Sequence, residues 1–344
     1  MQTQMKIAIS STMDRLGMFG VVRRAMASRS GLILALHRVL PPEERNLCYD
    51  PRLVLSEPAF VALLRLLRQE YQVVHLEELL ADPRGVAGRP RVALTFDDGW
   101  EDNYRIAFPH LLAYDTPATI FACAELIGTS AALPEERFVR LWNQCASHSQ
   151  LAELTTDLNH WGMGRQKRPQ WLTRKGYWSQ ELKRMPLSAR LLLLEHFERR
   201  YEVSPPQSDR FLRWDDLRLM MQTGLVRVGS HTCRHATLTT ENARDMRREL
   251  EDSRAILWDR TGVMPTTFAY PNGMYNRQVI DAVRSAGFQA ALATHLGLAS
   301  RRSHRFSMPR IAIDDTTVTN ADVQLSASRT SAYFASSWLR SAVS

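Results

Sequence analysis

The sequence predicts an α/β fold of barrel type. Three observations carry that prediction. Apolar runs with the length of buried strands recur at Gly31–Leu36, Val92–Phe96, Pro117–Ala122, Leu225–Gly229, Thr266–Tyr270 and Phe288–Ala293. Segments with helical periodicity lie between them, and that alternation builds a parallel sheet. Several runs also stop abruptly at polar residues, and in barrel-like folds the carboxyl ends of the strands carry the chemistry.

The elements follow in order. The run Gly31–Leu36 ends at His37 and is closed by Pro41 and Pro42. Ser56 to Gln69 reads as a helix with Ser56 as N-cap, Pro58 in the first turn and Phe60, Leu63, Leu64 and Leu67 on one face. Val73 and Val74 suit a short strand, Leu76 to Leu80 a short helix, and Ala81 to Pro90 a loop rich in Pro and Gly. After the run at Val92, Asp102 to Tyr114 is helical in pattern, so the strand at Pro117 completes a βαβ unit. From about Ser130 to Asp209 the periodicity becomes helical and more polar, and this stretch holds Trp142, Trp161, Trp171, Trp178 and the pair Pro205-Pro206. It reads as a mostly helical insertion whose tryptophans either pack or stack on ligands. Regular alternation then resumes with a helix at Trp214–Thr223 stopped by Gly224, a long charged helix at Asn242–Thr261 and another helix at Arg277–Ala286. Met308–Ile313 fits a last strand, and the tail after Asn320 fits a helix. The organisation expected is a basic helical segment at 1–30, barrel at 31–129, insertion at 130–211, barrel again at 212–318 and a C-terminal helix or tail at 319–344.

Composition narrows the function classes. The chain has 344 residues, 44% hydrophobic and 23% charged, which suits a globular protein with a substantial core. Its net charge of +8 would attract an anionic surface or polymer. No zinc-knuckle spacing, RNA-binding aromatic motif or basic tail points to nucleic acid. Cys48, Cys123, Cys145 and Cys233 have no regular spacing, so free thiols in a reducing compartment are expected. Met1 to Arg24 does not read as a secretory signal, and no stretch approaches the roughly 20 apolar residues that span a bilayer. Ile7 to Met26 fits a basic amphipathic helix, which either rests on a membrane or, more commonly, packs on its own protein.

Two motifs carry chemistry. Thr95-Phe96-Asp97-Asp98-Gly99 ends a strand in two adjacent carboxylates and a turn. Neighbouring strand residues point to opposite faces, but a turn at the strand end can bring both acids into one pocket. One can then bind a metal while the other stays free as a base. A plain Asp-Gly turn is the alternative. His231-Thr232-Cys233-Arg234-His235 also follows a strand, and its histidines share one face if the chain makes a helical turn there. Two imidazoles and an Asp form a recurring set for a divalent ion with open positions.

Thr-Phe-Asp-Asp-Gly, then His-Thr-x-x-His, then Tyr270-Pro271-Asn272-Gly273, resembles the polysaccharide deacetylases of carbohydrate esterase family 4, the NodB-homology domain. The resemblance covers about residues 30 to 125 and 212 to 313. It implies a distorted (β/α) barrel with fewer than eight repeats and metal-dependent removal of acetyl groups from glycans. By position it implies Asp97 as general base, Asp98, His231 and His235 as metal ligands, and Thr232 as a support of the motif loop. The turn Pro271-Asn272-Gly273 stands where the family has Pro-aromatic-Gly, and the backbone N–H of Asn272 would donate to the oxyanion. The ion expected is zinc, with Co, Ni or Fe as substitutes.

The chain departs from the family pattern twice. Ala269 stands where an Arg braces the catalytic Asp, and Arg310 is the candidate replacement. The late Leu-x-x-His motif that supplies the general acid is also missing, and His295 and His304 fit it poorly. Leu36-His37-Arg38 instead resembles the early Tyr-His-Arg element of exopolysaccharide deacetylases, whose motif order is permuted. His37 is therefore the expected acid, against the alternative of a hydrogen-bonded histidine at a strand end. The function expected is de-N-acetylation of a sugar in a surface polysaccharide, lipopolysaccharide or lipid-linked oligosaccharide. The location expected is cytoplasmic, with peripheral contact at the anionic inner face of the membrane. The alternatives are a glycan-binding protein that has lost catalysis and a hydrolase of a non-sugar amide.

Overall fold

A computed structural model describes residues 18–145, 148–161, 175–203, 211–320 and 324–343. Its strands are β1 (Ser30–Leu36), β2 (Arg38–Leu40), β3 (Val54–Ser56), β4 (Gln72–Val73), β5 (Arg91–Asp98), β6 (Ala118–Ala122), β7 (Val226–Ser230), β8 (Thr267–Ala269), β9 (Ala290–Leu292), β10 (Ala299–Ser300) and β11 (Ile311–Ala312). The main sheet runs β10-β1-β5-β6-β7-β8-β9, with β11 also on β1 and β4 on β5. Pairing along β1-β5-β6-β7-β8-β9 is parallel throughout. Buried parallel strands read as continuous apolar runs rather than alternating ones. That is why β1 and β6 are buried at every position.

The sheet curls until its ends meet. Met308 bridges Leu292 of β9, and three residues later Ile311 pairs with Leu34 of β1. The short segment from Met308 to Ala312 therefore closes the seam between the first and last strands of the path. Arg310 sits in that seam, fully buried rather than solvated as an Arg at a strand start usually is.

Helices cover the barrel. Glu57–Glu70 buries Phe60, Leu63, Leu64 and Leu67 against it. Ser56 holds the N-cap position of this helix, but its hydroxyl bonds Asp315 Oδ1 at 2.9 Å instead of capping. Ala243–Thr261 is capped by Asn242, whose side chain accepts from the N–H groups of Arg244 and Asp245. Between β6 and β7 the chain runs through helices Pro134–Gln144, His148–His160, Lys175–Lys183 and Leu187–Arg200. These pack around an apolar cluster of their own that includes Phe138, Leu154, Trp178 and Phe197. Trp142 and Trp178 are buried in that packing, while Trp161 is about half exposed. Trp171 and the Pro205-Pro206 pair lie outside the described residues.

At the N-terminus, the helix Met18–Ala27 buries Phe19 and Met26 and packs against the C-terminal helix Ala327–Val343. The rest of the Ile7–Met26 segment, residues 7–17, lies outside the described residues. All four cysteines are buried and none is in a disulfide. Among the described residues, no helix is long and apolar enough to cross a membrane.

Candidate active site

The carboxyl ends of the parallel strands open into a cavity of about 550 Å³. Leu36 of β1 pairs with Phe96 of β5, so His37 and Asp97 are the next residues on neighbouring strands. Their side chains face each other, with His37 Nε2 4.0 Å from Asp97 Oδ2. Asp97 and Asp98 both reach this cavity because the backbone reverses its hand between them. Asp98 has φ +72° and Gly99 φ +85°. A non-glycine residue held in the left-handed region is strained, and such strain concentrates at functional sites. A side chain at Gly99 would be strained as well, and its Cβ would meet Ile127 Cδ1 at 2.8 Å.

His231 and His235 approach Asp98 from the end of β7. The helical turn on which the sequence reading made their shared face conditional is not what brings them together. Thr232 and His235 have φ +67° and +60°, and this left-handed turn folds both rings back to the same point. Thr232 Oγ1 accepts from the N–H of Ala236 at 3.1 Å and ties the turn together. His231 Nε2 and His235 Nε2 lie 3.4 and 3.6 Å from Asp98 Oδ1. One ligand atom from each of the three residues falls within 4.8 Å of the others.

The donor chemistry of this cluster fits a divalent cation. Asp98 Oδ2 accepts from the Trp100 indole N–H at 2.9 Å, but Asp98 Oδ1 is buried with no hydrogen-bond partner. A buried carboxylate oxygen left unmatched is costly unless something positive completes it. His231 Nδ1 lies 2.8 Å from the Ala269 carbonyl, so it carries the proton and Nε2 keeps its lone pair. Burial, above all, and the neighbouring His235 hold the His231 imidazole down to about 4 despite Asp97 and Asp98, so it is neutral at pH 7. Ala269, which stands where the family pattern has an Arg, thus contributes its backbone.

Asp97 has a different environment. Arg310 reaches across the seam and binds it with both outer nitrogens, NH1 to Oδ1 and NH2 to Oδ2, each at 2.7 Å. Arg310 is itself fixed by the Ala293 carbonyl at 3.0 Å and Thr95 Oγ1 at 3.2 Å. Burial alone would raise the Asp97 pKa, but the charge and hydrogen bonds of Arg310 outweigh it and hold the carboxyl well below the usual carboxylate range.

The remaining parts of the site are held from behind. Asn103 Nδ2 donates to the His37 carbonyl at 2.8 Å, and Asp102 accepts from the Val39 N–H and Arg38 Nε, both at 2.8 Å. The guanidinium of Arg38 lies over the Trp100 ring, 4.5 Å from its centroid. Pro271-Asn272-Gly273 forms a turn beside the cavity in which Asn272 has φ +57°. Tyr270 is buried and donates its hydroxyl to the Phe306 carbonyl at 2.8 Å. His295 and His304 line a separate cavity.

Sequence reasoning missed Glu135. It opens the helix Pro134–Gln144, is buried, and places Oε2 3.6 Å from His235 Nδ1. Its only sequence signal is the Pro-Glu-Glu start of a helix, which also describes many solvated helix N-termini.

With this geometry established, comparison with known proteins is decisive. The model of the family described as polysaccharide deacetylase matches residues 84–291. The chain belongs to the polysaccharide deacetylase family. YxkH of Bacillus subtilis (strain 168), a polysaccharide deacetylase by name, is 22% identical over 222 residues. That match covers 64% of this chain and only 51% of YxkH, so the chain spans about half the length of this relative. Among solved structures, the Streptococcus pyogenes deacetylase PplD in complex with acetate is similar with a TM-score of 0.55 at 19% identity, over 84% of this chain and 94% of that one. IcaB from Ammonifex degensii is similar with a TM-score of 0.56 at 18% identity, over 90% and 97% of the two chains. At such identities the structural likeness establishes the deacetylase fold.

Proposed function

We propose that this polysaccharide deacetylase hydrolyses the N-acetyl group of a sugar in a surface polysaccharide, lipopolysaccharide or lipid-linked oligosaccharide. The carrying observation is one cavity that holds Asp97 gripped by Arg310, His37 opposite it, and an Asp98–His231–His235 cluster with an unmatched buried oxygen. In this reading Asp98, His231 and His235 hold a divalent ion, zinc first. When bound, the ion supplies Lewis acidity to the acetyl carbonyl and acidifies water.

The chain's own residues have separable tasks. Asp97, kept ionised by Arg310, takes the proton of the attacking water. The backbone N–H of Asn272 donates to the oxyanion that develops on the acetyl carbonyl oxygen. His37, across from Asp97, gives a proton to the departing amine. A carboxylate locked against Arg310 is a poor proton reservoir, whereas an imidazole can carry a proton near neutrality. That contrast supports Asp97 as base and His37 as acid rather than the reverse. An acid delivered from the end of β1 also agrees with the permuted, exopolysaccharide-type motif order.

The test is acetate release from a panel of N-acetylated oligosaccharides by metal-stripped protein, before and after one equivalent of Zn²⁺ or Co²⁺. Release that appears with the metal supports the reading. Stoichiometric metal binding without release from any glycan would favour a glycan-binding protein.

A further inference from the structure

The two histidines of the cluster are supported unequally. His231 has its far nitrogen fixed on the Ala269 carbonyl at 2.8 Å. His235 Nδ1 is buried without a hydrogen-bond partner. Facing it at 3.6 Å is Glu135 Oε2, which is also buried without one. A ring N–H and a carboxylate oxygen are complementary, and leaving both unmade away from water is costly. A movement of roughly half an ångström would bring them to the ordinary hydrogen-bond distance. Metal-binding histidines nearly always place the second nitrogen on a carboxylate or carbonyl, which sets the tautomer, aims the ring and raises ligand basicity.

The other oxygen of Glu135 is engaged. Oε1 accepts from Arg190 NH1 at 3.3 Å and from the Asn272 side-chain amide at 3.4 Å. Arg190 is fully buried and also reaches Thr237 Oγ1, 3.4 Å away. Asn272 Nδ2 lies 3.1 Å from the same hydroxyl. The side chain that replaces the family's aromatic residue in the Pro-x-Gly turn is therefore the one that meets Glu135. A phenylalanine there could not donate in this way.

We infer that Glu135 is a positioning residue that fixes the His235 ring for the cation and ties it to the Asn272 turn, an inference that rests on the cation site proposed above. It makes the helices between β6 and β7 part of the active site, since both Glu135 and Arg190 come from them. The network also ties a ligand histidine to the oxyanion turn through a single carboxylate.

The experiment is competition of metal-stripped protein with a chromophoric chelator for Zn²⁺, with circular dichroism as a check on folding. Glu135→Leu should weaken Zn²⁺ binding about 10- to 100-fold, the range for loss of such a partner. Glu135→Gln keeps an acceptor oxygen and should recover part of that loss. Because Glu135→Leu strands the Arg190 charge, the neutral double variant Glu135→Leu/Arg190→Met provides a second route and should show the same weakening. Zn²⁺ affinity within threefold of wild type in the folded double variant overturns the inference and leaves the cation site standing. Failure of the wild-type protein itself to bind Zn²⁺ overturns the cation site, and the inference with it.

Discussion

Arg310 holds both oxygens of Asp97 at 2.7 Å although 213 residues separate them in the chain. The contact exists because the segment carrying Arg310 closes the barrel seam between β9 and β1, and β1 is in turn the neighbour of β5. The guanidinium comes from the seam segment rather than from β8, where Ala269 holds the position of the family motif's Arg. It still presents the planar fork that matches a carboxylate in two bonds.

Arg310→Met should therefore damage both stability and catalysis. Removing one partner of a buried ion pair costs about 3–5 kcal/mol, which urea unfolding will measure. Without the cation, burial remains as the dominant influence on Asp97 and pushes its pKa up. The sign follows directly: the acid limb of the kcat/KM profile should move to higher pH. An unchanged acid limb in the folded variant would show that Arg310 does not tune Asp97.

His231→Ala should lose stoichiometric Zn²⁺, because its neutral Nε2 is one of three ligand atoms converging within 4.8 Å. Metal analysis after dialysis checks this. A chelator should likewise abolish wild-type acetate release, and added Zn²⁺ should restore it.

His37→Ala should keep its Zn²⁺ and lose turnover on N-acetyl sugars by about 10²- to 10⁴-fold, the usual contribution of a general acid. An activated aryl acetate needs no protonation of its leaving group, so its hydrolysis should fall far less. Equal losses on both substrates would assign His37 a role other than proton donation.

Gly273→Ala should destabilise the Pro271-Asn272-Gly273 turn. Gly273 has φ +65°, and an added Cβ would sit 1.8 Å from Thr294 Oγ1. The left-handed conformation alone costs a residue with a side chain about 1–2 kcal/mol. Thermal unfolding and kcat should both fall, with KM for the oligosaccharide less affected.

Strands β1, β5, β6, β7, β8 and β9 and most helices were legible because buried parallel strands leave continuous apolar runs and surface helices leave a 3.6-residue stripe, whereas the short strands β2, β3 and β10 were not. The Asp97-Asp98 and His231…His235 motifs were legible because each sits at a strand end. The local turn geometry was not. The pattern His-x-x-x-His suggested a helical turn, but positive φ at Thr232 and His235 does that work and leaves no periodic signal. Long-range partners were also hard to see. Arg310 could be suspected only from the vacancy left by Ala269, and nothing in Pro134-Glu135-Glu136 distinguishes a buried carboxylate in the site from a solvated helix start.

The most direct measurement is acetate release and metal content of Asp97→Asn side by side, after loading with one equivalent of Zn²⁺. Retained metal with turnover lowered by about 10²- to 10⁴-fold is the predicted result for loss of a general base. Wild-type acetate release from the metal-loaded variant would contradict the account at its centre.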